Sequence, residues 1–125
     1  MALAGDLEAV LREARELDLT TTGRVTGGPH TVELWFAYQD GHVYFLSGVS
    51  SQGRPTDWYR NLRARPSASL RVKDRDIAVE ATPFDAPEAA DAFVMGLFRR
   101  KYGARTVNTW YRGSPHFPVR LRVVG

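Results

Sequence analysis

The chain has 125 residues, a size that fits one folding domain, 1–125, with a single hydrophobic core. It contains no cysteine, which excludes disulfides, thiol nucleophiles and thiolate metal sites, and its three histidines are too dispersed to predict a metal site. The formal net charge of +3 is too mild to indicate a nucleic-acid partner, although it slightly favours anionic ligands.

The segment 1–19 mixes acidic with apolar residues and does not have the pattern of a signal peptide. No stretch approaches the roughly 18 apolar residues of a membrane span. We therefore expect a soluble, cytoplasmic protein.

Helical spacing of apolar residues predicts an amphipathic helix over 6–17, with Asp6 as its N-cap and Leu17 on its inner face. The period then changes to two, which predicts strands over 19–22 and 31–38. Asp40-Gly41 is a strong hairpin signal, so a strand over 42–47 should pair with the preceding one.

After a loop over 48–55, residues 57–64 are predicted to form a short helix. Strands over 67–72 and 77–84 flank a polar turn, and Asp85 with Glu88 forms a capping box that begins a long helix. A loop holding Trp110 and Tyr111 leads to a strand over 117–124. The order predicts a mainly β protein with flanking helices, of the α+β class, built on about six antiparallel strands in a closed or half-closed barrel.

The turn 23–29, Gly-Arg-Val-Thr-Gly-Gly-Pro, is longer than a hairpin requires. Its glycine amides, the Thr26 hydroxyl and the Arg24 guanidinium have the chemistry of an anion site. The residues alone favour the simpler interpretation, a long hairpin loop. The turn is neither a P-loop nor a dinucleotide fingerprint, because both need a helix directly after it.

A second candidate is the Ser- and Gly-rich stretch 47–53, followed by Trp58 and Tyr59, which has the residue types to hold a flat ring. Trp58 is equally suited to anchor the short helix in the core. Glu33 is expected on the outer face of its strand. His30, Glu33 and Ser47 do not predict a catalytic triad, because no nucleophile elbow is present.

Several motifs taken together resemble the deazaflavin-dependent nitroreductase family. They are Leu-Thr-Thr-Thr-Gly-Arg-x-Thr-Gly from residue 19, the Asp40-Gly41 hairpin, Ser47-Gly48, and Asp-Trp-Tyr-Arg-Asn-Leu-Arg-Ala-Arg-Pro over 57–66. This family belongs to the split-barrel flavin and deazaflavin oxidoreductases related to pyridoxamine 5'-phosphate oxidase.

The resemblance implies a six-stranded antiparallel split β-barrel of the FMN-binding type, usually a homodimer, that binds coenzyme F420 or, in sister branches, FMN. It also implies a set of cofactor-binding residues, which is Arg24, Thr26, Gly27, His30, Thr31, Val32, Ser47, Gly48, Ser50, Trp58 and Asn61. The first three would contact the phosphate and acidic tail, and the others would lie along the cofactor and its ring system.

The activity that the resemblance implies is hydride transfer from reduced deazaflavin to a small-molecule substrate, which is a quinone, an enone or a nitroaromatic compound. Three alternatives remain: an FMN-binding split-barrel protein, a flavin or deazaflavin carrier without enzymatic activity, and a protein that binds heme or another ligand. The ligand stays open because Val25 replaces the lysine usual in this family and the loop after Gly48 lacks the family's Lys-Gly-Gly. No catalytic residue is identified. Tyr102 and Tyr111 are the candidate proton donors.

Overall fold

The structure is a computed structural model that describes residues 5–49, 54–111 and 116–124. The helices are α1 (Gly5–Glu13), α2 (Asp57–Ala64), α3 (Ala90–Tyr102) and α4 (Ala104–Tyr111), with a 3-10 turn at Pro87–Ala89. The strands are β1 (Glu16–Thr22), β2 (Pro29–Trp35), β3 (Ala37–Gln39), β4 (His42–Ser47), β5 (Ser67–Val72), β6 (Arg75–Thr82) and β7 (Phe117–Val123).

All seven strands lie in one antiparallel sheet, in the order β2-β1-β5-β6-β7-β4-β3. The two edge strands, β2 and β3, are separated along the chain by Phe36 alone. Because one residue cannot span an open sheet, the sheet must curl until its edges approach each other at Phe36. The result is a mainly β half-barrel with helices packed on it, as the sequence predicted.

The strand count differs from the six predicted, because the segment 31–38 is two strands rather than one. Its first half pairs with β1 and its second half with β4. At the junction the Phe36 N–H donates to the Tyr102 hydroxyl at 3.1 Å, and the Phe36 carbonyl accepts from Lys101 Nζ at 2.9 Å. The backbone groups of this residue therefore bond to α3 at the point where the chain passes between the two edges.

Alternating residues of the curled sheet fill its interior, together with one face each of α1 and α2. The fully buried members of this first cluster are Leu11, Leu19, Phe36, Val43, Phe45, Leu70, Val72, Val79 and Leu121. A second cluster lies between the other face of the sheet and helices α3 and α4, and its members include Tyr44, Leu46, Val94, Phe98 and Val107. The site described below lies beside the first cluster.

The first predicted helix is wrong at its C-terminal end, since α1 ends at Glu13 and β1 begins at Glu16. Leu17, expected on the helix, belongs to β1. Along this strand Leu17, Leu19 and Thr21 are all buried, so the period of two overrides the helical spacing of the apolar residues.

Two further predictions fail around α3. Asp85 does not cap the helix, because the chain passes through the 3-10 turn first and Asp85 pairs instead with Arg120 at 3.6 Å. The loop expected around Trp110 is the helix α4. Gly103, with φ of +93°, separates α3 from α4 in a conformation that favours glycine.

The short helix over 57–64 and the Asp40-Gly41 hairpin are confirmed. Asp40 and Gly41 both have positive φ, of 50° and 79°, as a type I′ turn requires. Within the described ranges, no helix is long and apolar enough to cross a membrane.

Candidate functional site

The loop between β1 and β2 is closed by its own hydrogen bonds. The Gly23 N–H donates to the Gly28 carbonyl at 2.7 Å, and the Gly27 N–H donates to the Gly23 carbonyl at 2.8 Å. The Gly28 N–H donates to Thr26 Oγ1 at 3.2 Å. These glycine amides are therefore engaged within the loop and do not converge on an anion, contrary to that part of the sequence hypothesis.

Two of the glycines are needed for this loop conformation. A Cβ on Gly23 would lie 2.7 Å from Thr26 Oγ1 and 3.3 Å from the Gly28 carbonyl oxygen, and Gly27 has a φ of +76°. The Thr26 hydroxyl accepts one bond from the loop, which leaves its own O–H available to donate. The loop is thus an ordered structure with an available donor at Thr26.

Arg24 fastens the loop to the first turns of α2. Its Nη1 donates to Asn61 Oδ1 at 2.8 Å and to the Asp57 carbonyl at 3.5 Å, and its Nη2 donates to Asp57 Oδ1 at 3.2 Å. The Arg24 backbone N–H also donates to Asn61 Oδ1, at 3.2 Å. The guanidinium is held in one orientation with its Nε–H and one Nη2–H outside these bonds.

Asn61 extends the network from α2 into β1 and β2. Its Nδ2 donates to Thr21 Oγ1 at 3.1 Å, and Thr21 in turn donates to the His30 carbonyl at 3.5 Å. His30 Nδ1 is buried and has no hydrogen-bond partner in the described part of the chain. Unsatisfied buried polar atoms are uncommon in native proteins, and a bound ligand, ion or water is one explanation of them, so His30 is a candidate for ligand contact.

These residues surround an open cavity of about 230 Å³, lined by Gly23, Arg24, Val25, Thr26, Pro29, His30, Asp57 and Asn61. Typical pockets for drug-sized ligands are larger, roughly 300–1,000 Å³. The cavity is therefore sized for a part of a large cofactor, such as a phosphate or carboxylate with its neighbouring atoms. Val25 is 87% exposed at its rim, so a lysine at this position could have reached the same anion.

The end of β4 is fastened to the start of α2. Ser47 is fully buried, its hydroxyl donates to the Gly48 carbonyl at 2.9 Å, and it lies 2.7 Å from the Thr56 hydroxyl, which precedes α2. With the Ser47 proton engaged, Thr56 is the donor between the two hydroxyls. The turn 23–29 and the stretch that begins at Ser47 thus both contact the start of α2. Arg24 bonds to Asp57, and Ser47 bonds to Thr56, which precedes the helix.

The remaining predicted residues are placed less directly at the cavity. Trp58 is buried and packs edge-on against Phe45 at 5.7 Å, as its structural interpretation predicted. Thr31 is exposed and shares a hydrogen bond with Thr20 at 2.8 Å, whereas Val32 packs on the first cluster. Ser50 lies outside the described residues.

Of the two candidate proton donors, Tyr102 does not line the cavity. The Tyr102 hydroxyl lies 2.6 Å from the Arg15 carbonyl and 2.9 Å from the Phe36 carbonyl, so it serves the β2–β3 junction. The side chain of Tyr111 lies outside the described residues. Glu33 is exposed, as expected, and does not line the cavity.

Asp57 and Thr21 belong to the network and were not among the predicted site residues. The spacing i, i+4 of Asp57 and Asn61 places both on one face of α2, which is a usable signal. The alternation Leu17, Leu19, Thr21 likewise places the Thr21 hydroxyl on the inner face of β1. Neither signal identifies Arg24 as the partner that Asp57 and Asn61 share, because Arg24 and Asn61 are 37 residues apart in the chain.

Comparison of folds defines the class of protein. The structure superposes on an F420 reductase with a TM-score of 0.61, at 22% identity, covering 94% of this chain and 93% of that one. It also superposes on a putative pyridoxamine 5'-phosphate oxidase from Listeria innocua with a TM-score of 0.62, at 15% identity, covering 95% and 90% of the two chains. The fold is the split barrel, as the motifs implied.

Comparison of sequences identifies the family. The model of the F420H(2)-dependent quinone reductase family matches residues 2–114. The chain is 32% identical over 104 residues to an F420H(2)-dependent quinone reductase of Mycobacterium tuberculosis strain H37Rv, which covers 81% of this chain and 68% of that protein. The protein belongs to the F420H(2)-dependent quinone reductase family, and the resemblance to deazaflavin enzymes is confirmed.

Proposed function

We propose that this protein is an F420-dependent oxidoreductase that uses reduced deazaflavin to reduce a quinone. The observation that supports it most directly is Arg24, whose guanidinium is fixed against α2 beside an open cavity with two N–H donors outside that contact. Coenzyme F420 carries a phosphate and an acidic tail, and a fixed guanidinium is well suited to bind either group.

The residues present fit the anionic part of such a cofactor. Arg24 would bind the anion, the Thr26 O–H would donate a second hydrogen bond, and His30 would lie next along the cofactor. Gly48, just after the buried Ser47, would let the backbone approach the ring system, and α2 would hold both stretches in place. The hydride chemistry would be supplied by the bound deazaflavin, while the protein orients it and excludes water.

The finer assignments belong to the same proposal. Quinones are the substrate class that the family description supports, whereas enones and nitroaromatic compounds are further acceptors to test. We also infer a homodimer, as the family resemblance implies, which sedimentation equilibrium of the purified protein would test. A single domain over 1–125 is consistent with the one curled sheet that spans the described residues.

The proposal is tested by titrating the purified protein with F420 and with FMN, and then mixing it with reduced F420 and a panel of quinones. We expect saturable F420 binding and oxidation of the reduced cofactor that depends on both protein and quinone. Binding without oxidation would indicate a carrier. Preference for FMN, or no binding of either cofactor, would contradict the proposal.

Replacing Arg24 with Ala should weaken F420 binding by about 1.5–3 kcal/mol, the range for a charge-assisted hydrogen bond. Arg71 offers a matched control, because it is also an arginine paired with an aspartate, Asp76 at 3.1 Å. It lies on β5, where it is opposite Asp18 of β1, and it does not line the cavity. Arg71→Ala should leave the dissociation constant unchanged. Equal effects of the two variants would show that only the net charge matters.

A further inference from the structure

The guanidinium of Arg24 is held by two side chains of different charge, both from α2. Asn61 is neutral and accepts from the Arg24 backbone and from Nη1, at 3.2 and 2.8 Å. Asp57 is anionic and accepts from Nη2 at 3.2 Å. The two contacts orient the same group, but only the second places a negative charge beside it.

Asn61 has almost no capacity left for a ligand. It is 2% exposed, both lone pairs of its Oδ1 accept from Arg24, and one of its amide hydrogens bonds to Thr21. A side chain in this state affects a bound ligand by positioning Arg24 rather than by direct contact.

Asp57 differs because its carboxylate is 66% exposed and lies at the same cavity as Arg24, which is 23% exposed. An anion that binds the remaining donors of Arg24, the Nε–H and the second Nη2–H, meets a like charge on the same guanidinium. Like charges at such a separation repel each other even where water screens them partly.

We propose that Asn61 is a positioning residue that prepares Arg24 for an anionic group, and that Asp57 competes with that group for the same guanidinium. The two residues of α2 therefore change ligand affinity in opposite directions. The inference rests on the proposed function for the identity of the ligand, F420, but the predicted signs hold for any phosphate-bearing anion at this cavity.

The test measures dissociation constants for F420 and, separately, for inorganic pyrophosphate. Asp57→Asn keeps an acceptor for Nη2 and removes the charge, so affinity should rise about two- to fivefold, the range for one exposed ion pair. Asp76→Asn is the matched control, since it removes the same charge from the Arg71 pair and should change affinity less than twofold, about the limit of salt-screened long-range effects.

Asn61→Ala should weaken binding about five- to tenfold, which lies within the range for the loss of one ordinary hydrogen bond. A double-mutant cycle separates positioning from contact. In an Arg24→Ala background, Asn61→Ala should have almost no further effect, because it acts through Arg24. Asp57→Asn should have a smaller effect than in the wild type, because only its direct repulsion of the anion remains. Circular dichroism of each variant establishes that it is folded. If the Asn61→Ala variant is not folded, the affinity of Asp57→Asn tests the inference.

Weaker binding by Asp57→Asn, or an effect equal to that of Asp76→Asn, would overturn the competition. An undiminished effect of Asn61→Ala without Arg24 would overturn the positioning role. If pyrophosphate gives the predicted signs but F420 does not bind, the proposed function fails and this inference stands. If neither probe binds to the wild-type protein, both are overturned.

Discussion

At the scale of single residues, Gly23 has a role that depends on close contact rather than on backbone flexibility. Its missing Cβ makes room for Thr26 Oγ1, which in turn accepts from the Gly28 N–H. A side chain at position 23 would force the threonine to rotate and to lose that bond. The shape of the loop around Arg24 therefore depends on this glycine as well as on Gly27.

Gly23→Ala should lower the free energy of unfolding by about 1 kcal/mol, the value of the hydrogen bond that is lost. It should also weaken F420 binding, because Arg24 is the next residue. Gly28→Ala is the control, since a Cβ there would lie 3.7 Å from Thr26 Oγ1, an ordinary contact. Urea unfolding and cofactor titration of both variants measure the effects, and equal stability of the two would contradict the steric argument.

Lys101 is a second residue whose environment makes a prediction. Burial, with Arg15 as a further cause, lowers the pKa of Lys101 from 10.5 to about 8, although Glu16 acts in the opposite direction. Between about pH 8 and 10.5 the unfolded chain holds this proton and the folded protein does not. The free energy of unfolding should therefore rise with pH across that window.

Lys101→Met removes the titrating group, and comparison with the wild type isolates its contribution. The variant also loses the bond to the Phe36 carbonyl, which lowers stability at every pH. Because only the wild type carries the titrating group, its free energy of unfolding relative to that of the variant should rise as pH rises from 8 towards 10.5. Urea unfolding at several pH values measures it, and two parallel curves would show that the Lys101 pKa is not lowered.

At the scale of elements, the junction between β2 and β3 decides how the sheet closes. The Tyr102 hydroxyl accepts from the Phe36 N–H and lies within hydrogen-bond distance of two carbonyls, those of Arg15 and Phe36. Its ring stacks on Trp35 at 4.6 Å. One side chain of α3 thus bonds to the backbone of the junction and to the backbone between α1 and β1.

Tyr102→Phe should lower the free energy of unfolding by about 1–3 kcal/mol, because it leaves a buried N–H and carbonyl groups without this partner. Tyr59→Phe is the control, since the Tyr59 hydroxyl accepts only an exposed bond from Arg63 at 3.3 Å among the described contacts. Its effect should stay below about 0.5 kcal/mol. Thermal or urea unfolding of the two variants decides the matter, and a Tyr102→Phe variant as stable as Tyr59→Phe would exclude this role.

The same junction shows which elements could be predicted from the sequence. The Asp40-Gly41 hairpin and α2 were predicted because their signals are local. The break at Phe36 was missed, since it depends on Tyr102, 66 residues away. The C-terminal end of α1 was wrong because Leu17 suits a helical period and a strand period equally well. At the site, Arg24 and Asn61 were predicted as cofactor-binding residues from the family motifs, whereas their mutual contact required the structure.

At the scale of the whole molecule, the site joins parts of the sheet that are far apart in strand order. Arg24 follows β1, and His30 lies at the start of β2, which is one edge strand of the sheet. Ser47 ends β4, which is next to the other edge strand, β3. Helix α2 connects them and also packs Trp58 and Leu62 into the first cluster. A ligand that contacts both loops should therefore stabilise the whole fold rather than one loop.

Coenzyme F420 at about 100 times its dissociation constant should add about 2.7 kcal/mol to the free energy of unfolding. For a domain of this size that corresponds to a rise in melting temperature of about 10 °C. Arg24→Ala at the same cofactor concentration should show a smaller rise, because less of the protein is bound, whereas Arg71→Ala should match the wild type. Differential scanning calorimetry measures the shift, and an unchanged melting temperature at saturating F420 would show that the cofactor does not bind the native state.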